Sequence, residues 1–429
     1  MKLWNQNSKD KNSAIDHFLS SEDITLDQEL FLYDIEASIA HTHELEKINI
    51  FTKTEARKVI SSLKKLGKLF QTNKFKLTAK YEDCHSAIED FLTKELGSIG
   101  KKIHTGRSRN DQIMVAMRLY AREKLDEIQS INLKIAKAFL EKSEKHSSNP
   151  MPGYTHLQRA MPSSWGLWFG AFAESFLDNA ELFSNTKSWI NVNPLGTAAG
   201  YGVNLPIKRD ISTKELNFKR KQLNSLYVQN SRGKFELELI GALKQPMLDI
   251  RKFSWDMSLF LSQEFNLLSL PPIYSTGSSI MPNKSNPDVI EMMRANFSIL
   301  AGHYSELENL ISLPSGYHRD LQLTKRSLIH SLHCVLKTMN LLPNLVKSIK
   351  INTHRSNELI DQDMLMTDQA YEMVQSGIPF RDAYSKVKSN RDKNVQSKNI
   401  SRKKSSSGSA YNLNLQVLKS RLIKLSKNQ

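Results

Sequence analysis

Long runs of apolar residues at helical spacing set the limits on what this chain can fold into. After Gln112, steps of three and four residues put Ile113, Met117, Tyr120, Ile128, Ile131 and Ile135 on one stripe that continues to about His146. Residues 245–265 carry Met247, Ile250, Met257 and Leu261 in register, and 288–311 carry Val289, Met293, Leu300, Tyr304, Leu307 and Ile311 at close to heptad spacing. A further run, 327–351, follows a break at 316–325. The segment after Ser163 and Ser164 is apolar almost all round (Leu167, Phe169, Phe172, Phe176, Leu177), as a buried helix with either serine as its cap would be. Such stripes are the seams of a helical bundle, and apolar faces in excess of one bundle imply contacts between copies of the chain. The expected fold is mainly α.

Flanking the bundle, the pattern is shorter. Residues 25–46 repeat Leu26, Leu30, Tyr33 or Asp34, Ala37 and Ala40 as an amphipathic helix, and Thr52-x-x-Glu55 spells a capping box for the next. Residues 70–77 alternate in a way that fits a short strand or hairpin arm. From 352 onward short helices are expected (368–374 and 380–387), and 386–410, rich in Lys, Ser, Asn and Arg, reads as a mobile solvated segment. The domain expectation is 1–105 mostly helical, 106–351 the long-helix bundle, and 352–429 a small helical domain with a basic segment.

Composition narrows the function classes. The formal net charge is +16, but lysine and asparagine are spread along the whole chain rather than gathered in a stripe. That distribution disfavours a nucleic-acid partner, while the positive field would help a multiply anionic substrate. Hydrophobic content of 39% and charged content of 24% suit a soluble globular protein. No apolar run is long enough to span a bilayer, so no membrane partner is expected, and the opening MKLWNQNSKDKNS lacks the apolar core of a secretory signal. Two cysteines, Cys84 and Cys334, make no disulfide framework and point to a reducing cytoplasm. Nor is there a Cys/His cluster at metal-ligand spacing; His41 and His43, like Asp83 and His85, are two apart and face different ways on a helix, so no metal is expected.

Chemistry concentrates in a few short strings. His104-Thr-Gly-Arg-Ser-Arg-Asn-Asp-Gln112 sets Arg107, Arg109 and Asn110 at a helix N-terminus, where backbone N–H groups already favour anions and arginine can grip a carboxylate with two bonds. In 81–85, YEDCH, Asp83 reads either as a helix cap beside a solvated His85 or as a functional carboxylate. Residues 150–158, PMPGYTHLQ, form a bounded turn with Thr155 beside His156. The glycine loop 193–202 does not fit a dinucleotide fingerprint. In 274–291, YSTGSSIMPNKSNPDVIE, Gly277, Ser278, Ser279, Lys284 and Asn286 fall within ten residues stiffened by Pro282 and Pro287 ahead of a helix, and the loop does not fit a nucleophile elbow. Asp288-x-x-Glu291 is itself a capping-box-like pattern. Residues 316–325 add Tyr317, Gln322 and Lys325 at a helix break.

The 274–291 string resembles the signature of the fumarase/aspartase superfamily, whose members eliminate fumarate from substituted succinates. With HTGRSRNDQ, SIAH (38–41), EDxH (82–85), PGYTHLQ, NPLGTAAGYG, GYHRDLQLTK and GIPFRDAY (377–384) in order, nearly the whole chain resembles the argininosuccinate lyase family. The resemblance implies a three-domain fold whose long central helices form the core of a homotetramer, with each site drawn from three subunits. It implies reversible cleavage of argininosuccinate to arginine and fumarate without a cofactor. Ser278 would be the base, His156 the partner acid, Glu291 its orienting carboxylate, and Lys284 a stabiliser of developing charge. Asp83, Arg109, Asn110, Thr155, Asn286, Tyr317, Gln322 and Lys325 would bind substrate, with Ser20 or Ser21 as a further contact. Tyr81, Asn283 and Ser285 depart from the residues common in the family. Two other readings share these motifs: a non-catalytic structural tetramer like the delta-crystallins, and a sibling lyase for adenylosuccinate, fumarate or aspartate, which HTGRSRNDQ disfavours.

Overall fold

The computed structural model describes residue 18 and residues 22–78, 80–390 and 404–427. Ser20, Ser21 and most of the basic 386–410 segment lie outside the described residues. Among those described, the helices of ten residues or more are α1 (Asp23–Lys47), α2 (Lys53–Gln71), α3 (Cys84–Leu96), α4 (Arg109–Lys145), α5 (Trp165–Ile190), α6 (Lys234–Phe260), α7 (Asp288–Leu310), α8 (Thr324–Ser348), α9 (Met366–Gln375), α10 (Phe380–Ser389) and α11 (Leu415–Lys427). The chain is mainly α, as its periodicity requires. It divides into two compact units, one formed by 1–127, 183–243 and 299–334, the other by 128–182, 244–298 and 335–429. The divisions fall inside α4, α5, α6, α7 and α8, so each of these helices gives one stretch to each unit.

In the first unit α1, α2 and α3 close around Phe31, Leu45, Phe51, Leu63 and Leu92, all fully or almost fully buried. The expected capping box starts α2: the Glu55 N–H donates to Thr52 Oγ1 (3.2 Å) and the Thr52 N–H to the Glu55 carboxylate (2.8 Å). Ala37 and Ala40 of α1 meet Val115 and Leu119 of α4, small residues that let the helices approach closely. The strand expected at 70–77 is not formed. Phe70 lies in the last turn of α2, Asn73 turns the chain with a left-handed φ of 56°, and the Lys74 and Phe75 N–H groups return to the Leu69 carbonyl. The alternation there reflects two aromatic anchors, since Phe70 and Phe75 both pack on Phe31 with ring centroids 4.6 and 5.6 Å away.

The second unit is built on aromatic rings. Phe139 of α4 contacts Phe172 of α5 at 5.3 Å and Phe253 of α6 at 5.3 Å, edge-on to the latter. α6 starts earlier and stops sooner than the 245–265 expectation. Its apolar stripe reaches back through Phe235, Leu239 and Leu243, and Pro246 sits inside the helix. Asn266, at φ 49°, turns the chain after it, and the Leu267 N–H closes onto the Phe260 carbonyl. The bounded turn at 150–158 proves to be a β-hairpin, β1 (Pro150–Thr155) against β2 (Gln158–Ser164). Its two loop residues, His156 and Leu157, both have positive φ (54° and 58°), the requirement of a type I′ turn. Ser164 caps α5 through the Leu167 N–H at 3.2 Å. Among the described residues no helix is long and apolar enough to cross a membrane.

Candidate active site

A cavity of about 610 Å³ opens in the first unit. Its wall is charged with both signs: Asp23, Asp27, Glu82, Asp83 and Glu89 face Arg107, Arg109, Arg232, Arg319 and Lys325. One wall comes from the turn ahead of α4, which is held by its own aspartate. Asp111 Oδ1 accepts the Ser108 N–H at 2.8 Å, and Oδ2 accepts three successive N–H groups from Gly196, Thr197 and Ala198 at 2.9–3.1 Å. Positive φ at Gly196 (83°) and Ala198 (52°) turns these amides toward one point. So the glycine loop 193–202 has a partner inside the chain, a carboxylate rather than a phosphate. Burial pushes the Asp111 carboxyl up to about 6 against the pull of these bonds and of Arg107. Asp111→Leu would strand four N–H donors; we expect it to lower the unfolding free energy by about 3 kcal/mol or more in urea titrations, and a loss near zero would show that water takes over the donors.

Asp83 caps α3 by accepting the Ser86 N–H (2.8 Å), as the cap reading expects, and its other oxygen pairs with Arg109 at 3.0 Å. Burial raises its pKa, but His85, Arg109 and the Ser86 bonds outweigh that and hold it below the usual carboxylate range. Arg109 also pairs with Glu82 at 2.9 Å. His85 is not solvated: its Nδ1 lies 2.6 Å from Asp34, fully buried on α1, and although burial opposes the charge, Asp34 raises the imidazole pKa overall. Burial, then Arg107 and Arg109, lower His104 to about 4, leaving it neutral at pH 7. Lys325, only 4% exposed, is clamped between Asp23 and Asp27 at 2.7 Å each. Arg232, also buried, lies over the Tyr317 ring at 5.5 Å.

The fold also gathers Asp34, Cys84 and His85, ligand types that are 50 and 51 residues apart in the chain. Two donors bound to one zinc at about 2.0–2.2 Å in a tetrahedron would stand farther apart than the 2.6 Å between Asp34 and His85. This group is a hydrogen-bonded cluster.

A family model described as "Lyase" matches residues 10–300. An argininosuccinate lyase from Xanthomonas campestris pv. campestris (strain B100) is 46% identical, covering 98% of both chains. The chain belongs to the argininosuccinate lyase family. A second argininosuccinate lyase, from Stenotrophomonas maltophilia (strain R551-3), is 45% identical over 98% of each chain. Among solved structures, EDDS lyase in complex with formate has a TM-score of 0.82 at 21% identity, covering 96% of this chain and 90% of that one, which establishes likeness of fold.

Of the substrate contacts that the argininosuccinate lyase pattern implies, Asp83, Arg109, Asn110, Tyr317, Gln322 and Lys325 line the one cavity. The other residues of that pattern, Thr155, His156, Ser278, Lys284, Asn286 and Glu291, belong to the second unit. Thr155 and His156 are exposed at the tip of the hairpin. The serine loop is itself a small antiparallel ladder, Thr276–Gly277 against Ser285–Asn286, with exposed Ile280 and Lys284 between. Ser278 Oγ accepts the N–H groups of Ile280 (3.3 Å) and Met281 (3.0 Å), while Thr276 is tied to Asp288. Glu291 is half exposed and lies 3.6 Å from Arg294, one turn along α7. Sequence patterns alone do not single out Asp23, Asp27 or Arg232. Asp27 and its partner Lys325 are separated by 298 residues, and nothing local in α1 marks those aspartates as more than a polar face.

Proposed function

We infer that the chain catalyses the reversible elimination of fumarate from argininosuccinate to give arginine, the lyase step of arginine biosynthesis. The observation that carries this is the convergence of six substrate-contact positions on one cavity walled by both charge signs. Argininosuccinate carries carboxylates, an amine and a guanidinium, and a wall of alternating arginines and carboxylates can pair with each. Elimination requires a proton to leave the carbon beside a carboxylate while its electron pair forms the new double bond and the C–N bond breaks. The leaving guanidine nitrogen then takes up a proton. Ser278 fits the base: the two N–H groups directed at its Oγ would stabilise the alkoxide, lowering the cost of deprotonating a group that is a poor base in water. Lys284 and Asn286 offer charge and hydrogen bonds to the doubly charged carboxylate that develops, each such donor contributing on the order of 3 kcal/mol. His156 supplies the leaving-group proton, and Glu291 orients and charges its imidazole.

The working form in this reading is a cytoplasmic homotetramer whose sites combine segments of different subunits, with the chain laid out as domains 1–105, 106–351 and 352–429. Exposed apolar residues along the long helices, among them Leu248, Trp255, Met292 and Ile299, support association of copies. Two experiments test the proposal. Purified protein given argininosuccinate should release fumarate, followed by its ultraviolet absorbance; an inert, correctly assembled protein would favour the structural-tetramer alternative. Mixing an inactive Arg109 variant with an inactive Ser278 variant, followed by unfolding and reassembly, should restore part of the activity. No recovery would place each site within one chain.

A further inference from the structure

The SIAH string at 38–41 has no role in the chemistry above, yet its two polar side chains reach the turn that presents Arg109 and Asn110 to the cavity. Ser38 and His41 are fully buried, one turn apart on α1. Ser38 Oγ accepts from Arg107 Nη1 at 2.9 Å. His41 Nε2 lies 2.9 Å from the Thr105 carbonyl, and its Nδ1 lies 3.1 Å from Glu44, also fully buried. A carbonyl can only accept, so Nε2 carries the proton of that bond. The Nδ1–Glu44 bond takes a second proton, shared between ring and carboxyl; through it Glu44 holds the ring edge-on to the turn, and its other oxygen is 3.4 Å from the Ser212 N–H. Thr105 and Arg107 are thus gripped from α1, and Asp111 from the 196–198 amides. The residues between these fixed points, Ser108, Arg109 and Asn110, line the cavity.

We propose that Ser38, His41 and Glu44 are positioning residues that hold 105–110 in its substrate-receiving shape, setting how tightly substrate is captured rather than how fast its bond breaks. The inference rests on argininosuccinate as the ligand of this cavity. The stretch from Thr105 to Asp111 is pinned at both ends through Ser38, His41, Glu44 and Asp111, none of which lines the cavity. Releasing one end leaves the span to be ordered by the substrate itself, which weakens capture by about tenfold for each residue that must be reordered. Packing alone would account for burial of the pair but not for two separate bonds from one motif to one turn.

The test compares His41→Leu with His41→Gln, since glutamine can still donate toward Thr105 and leucine cannot. Steady-state constants on argininosuccinate are read together with amide exchange, by mass spectrometry, in peptides covering 104–112. His41→Leu should raise KM about tenfold or more with kcat held within about threefold, and speed exchange at 105–110; His41→Gln should recover most of both. Unchanged KM and exchange, or a loss confined to kcat, would overturn the proposal. If His41→Leu does not assemble, Ser38→Ala decides: it frees Arg107 with a smaller change, and normal KM and exchange there overturn the proposal. Wild-type protein that fails to cleave argininosuccinate would sink the substrate reading alone. The exchange comparison still decides whether α1 holds the turn.

Discussion

Ser278→Ala should lower fumarate release by roughly 10²–10⁴-fold, the range over which a positioned proton acceptor acts, with assembly and substrate affinity little changed. The hydroxyl lies on an otherwise exposed loop, so removing it creates no cavity and strands only two solvent-accessible N–H groups. Stability should therefore hold while kcat falls, the pattern of a contact made in the transition state alone. Ser279→Ala is the control. Ser279 is exposed on the same loop, and its loss should cost far less. Rates near wild type for Ser278→Ala, or equal losses for both serines, would remove Ser278 from the base role. Ser285 pairs with Gly277 in the ladder, so Ser285→Lys would report through KM whether a second cation on this loop strengthens substrate capture.

Much of this architecture was legible because long helices repeat their apolar residues every three or four positions. The seams of α4, α7 and α8 were readable to within a few residues, and so was the capping box of α2. Misread elements share a cause: tertiary contacts overrode a local signal. The 245–265 expectation missed the first turns of α6, whose stripe from Phe235 to Leu243 runs on through Pro246. Phe70 and Phe75 looked like strand alternation, but both are drawn to Phe31. The hairpin at 150–164 was half visible, since Pro and Gly marked a turn. Its tip, His156-Leu157, lacks the glycine or asparagine that usually announces a type I′ turn. In the candidate site, arginines at a helix N-terminus could be read directly. The carboxylates facing them from α1 could not, because partner identity is fixed by the fold rather than by spacing.

Those carboxylates give the largest expected effect on stability. Lys325→Met should destabilise the protein by about 3–5 kcal/mol at neutral pH, the cost of leaving buried carboxylates without their cation. Asp27 is fully buried and Asp23 nearly so; besides pairing with Lys325, Asp27 accepts the Cys84 N–H at 2.9 Å. In the wild type, burial opposes the Lys325 charge but the two aspartates outweigh it and raise its pKa above the ordinary lysine value. Its contribution is therefore complete below that ordinary value and constant between pH 5 and 8. Asp23 is already raised by burial, more than Lys325 lowers it. Once the ammonium is gone, the Asp23 carboxyl rises further. A group whose folded pKa lies above its unfolded one favours the folded state below the unfolded value and loses that contribution as pH climbs through the folded value. The variant should accordingly be closest to wild type near pH 5 and fall away toward pH 8. Urea titrations at the two pH values and fixed protein concentration measure this directly. Asp27→Asn placed on top of Lys325→Met should recover part of the loss at pH 8, because one uncompensated charge is removed with little change of shape. A pH-independent deficit that Asp27→Asn leaves untouched would mean the lysine acts through packing of its stem, not through charge.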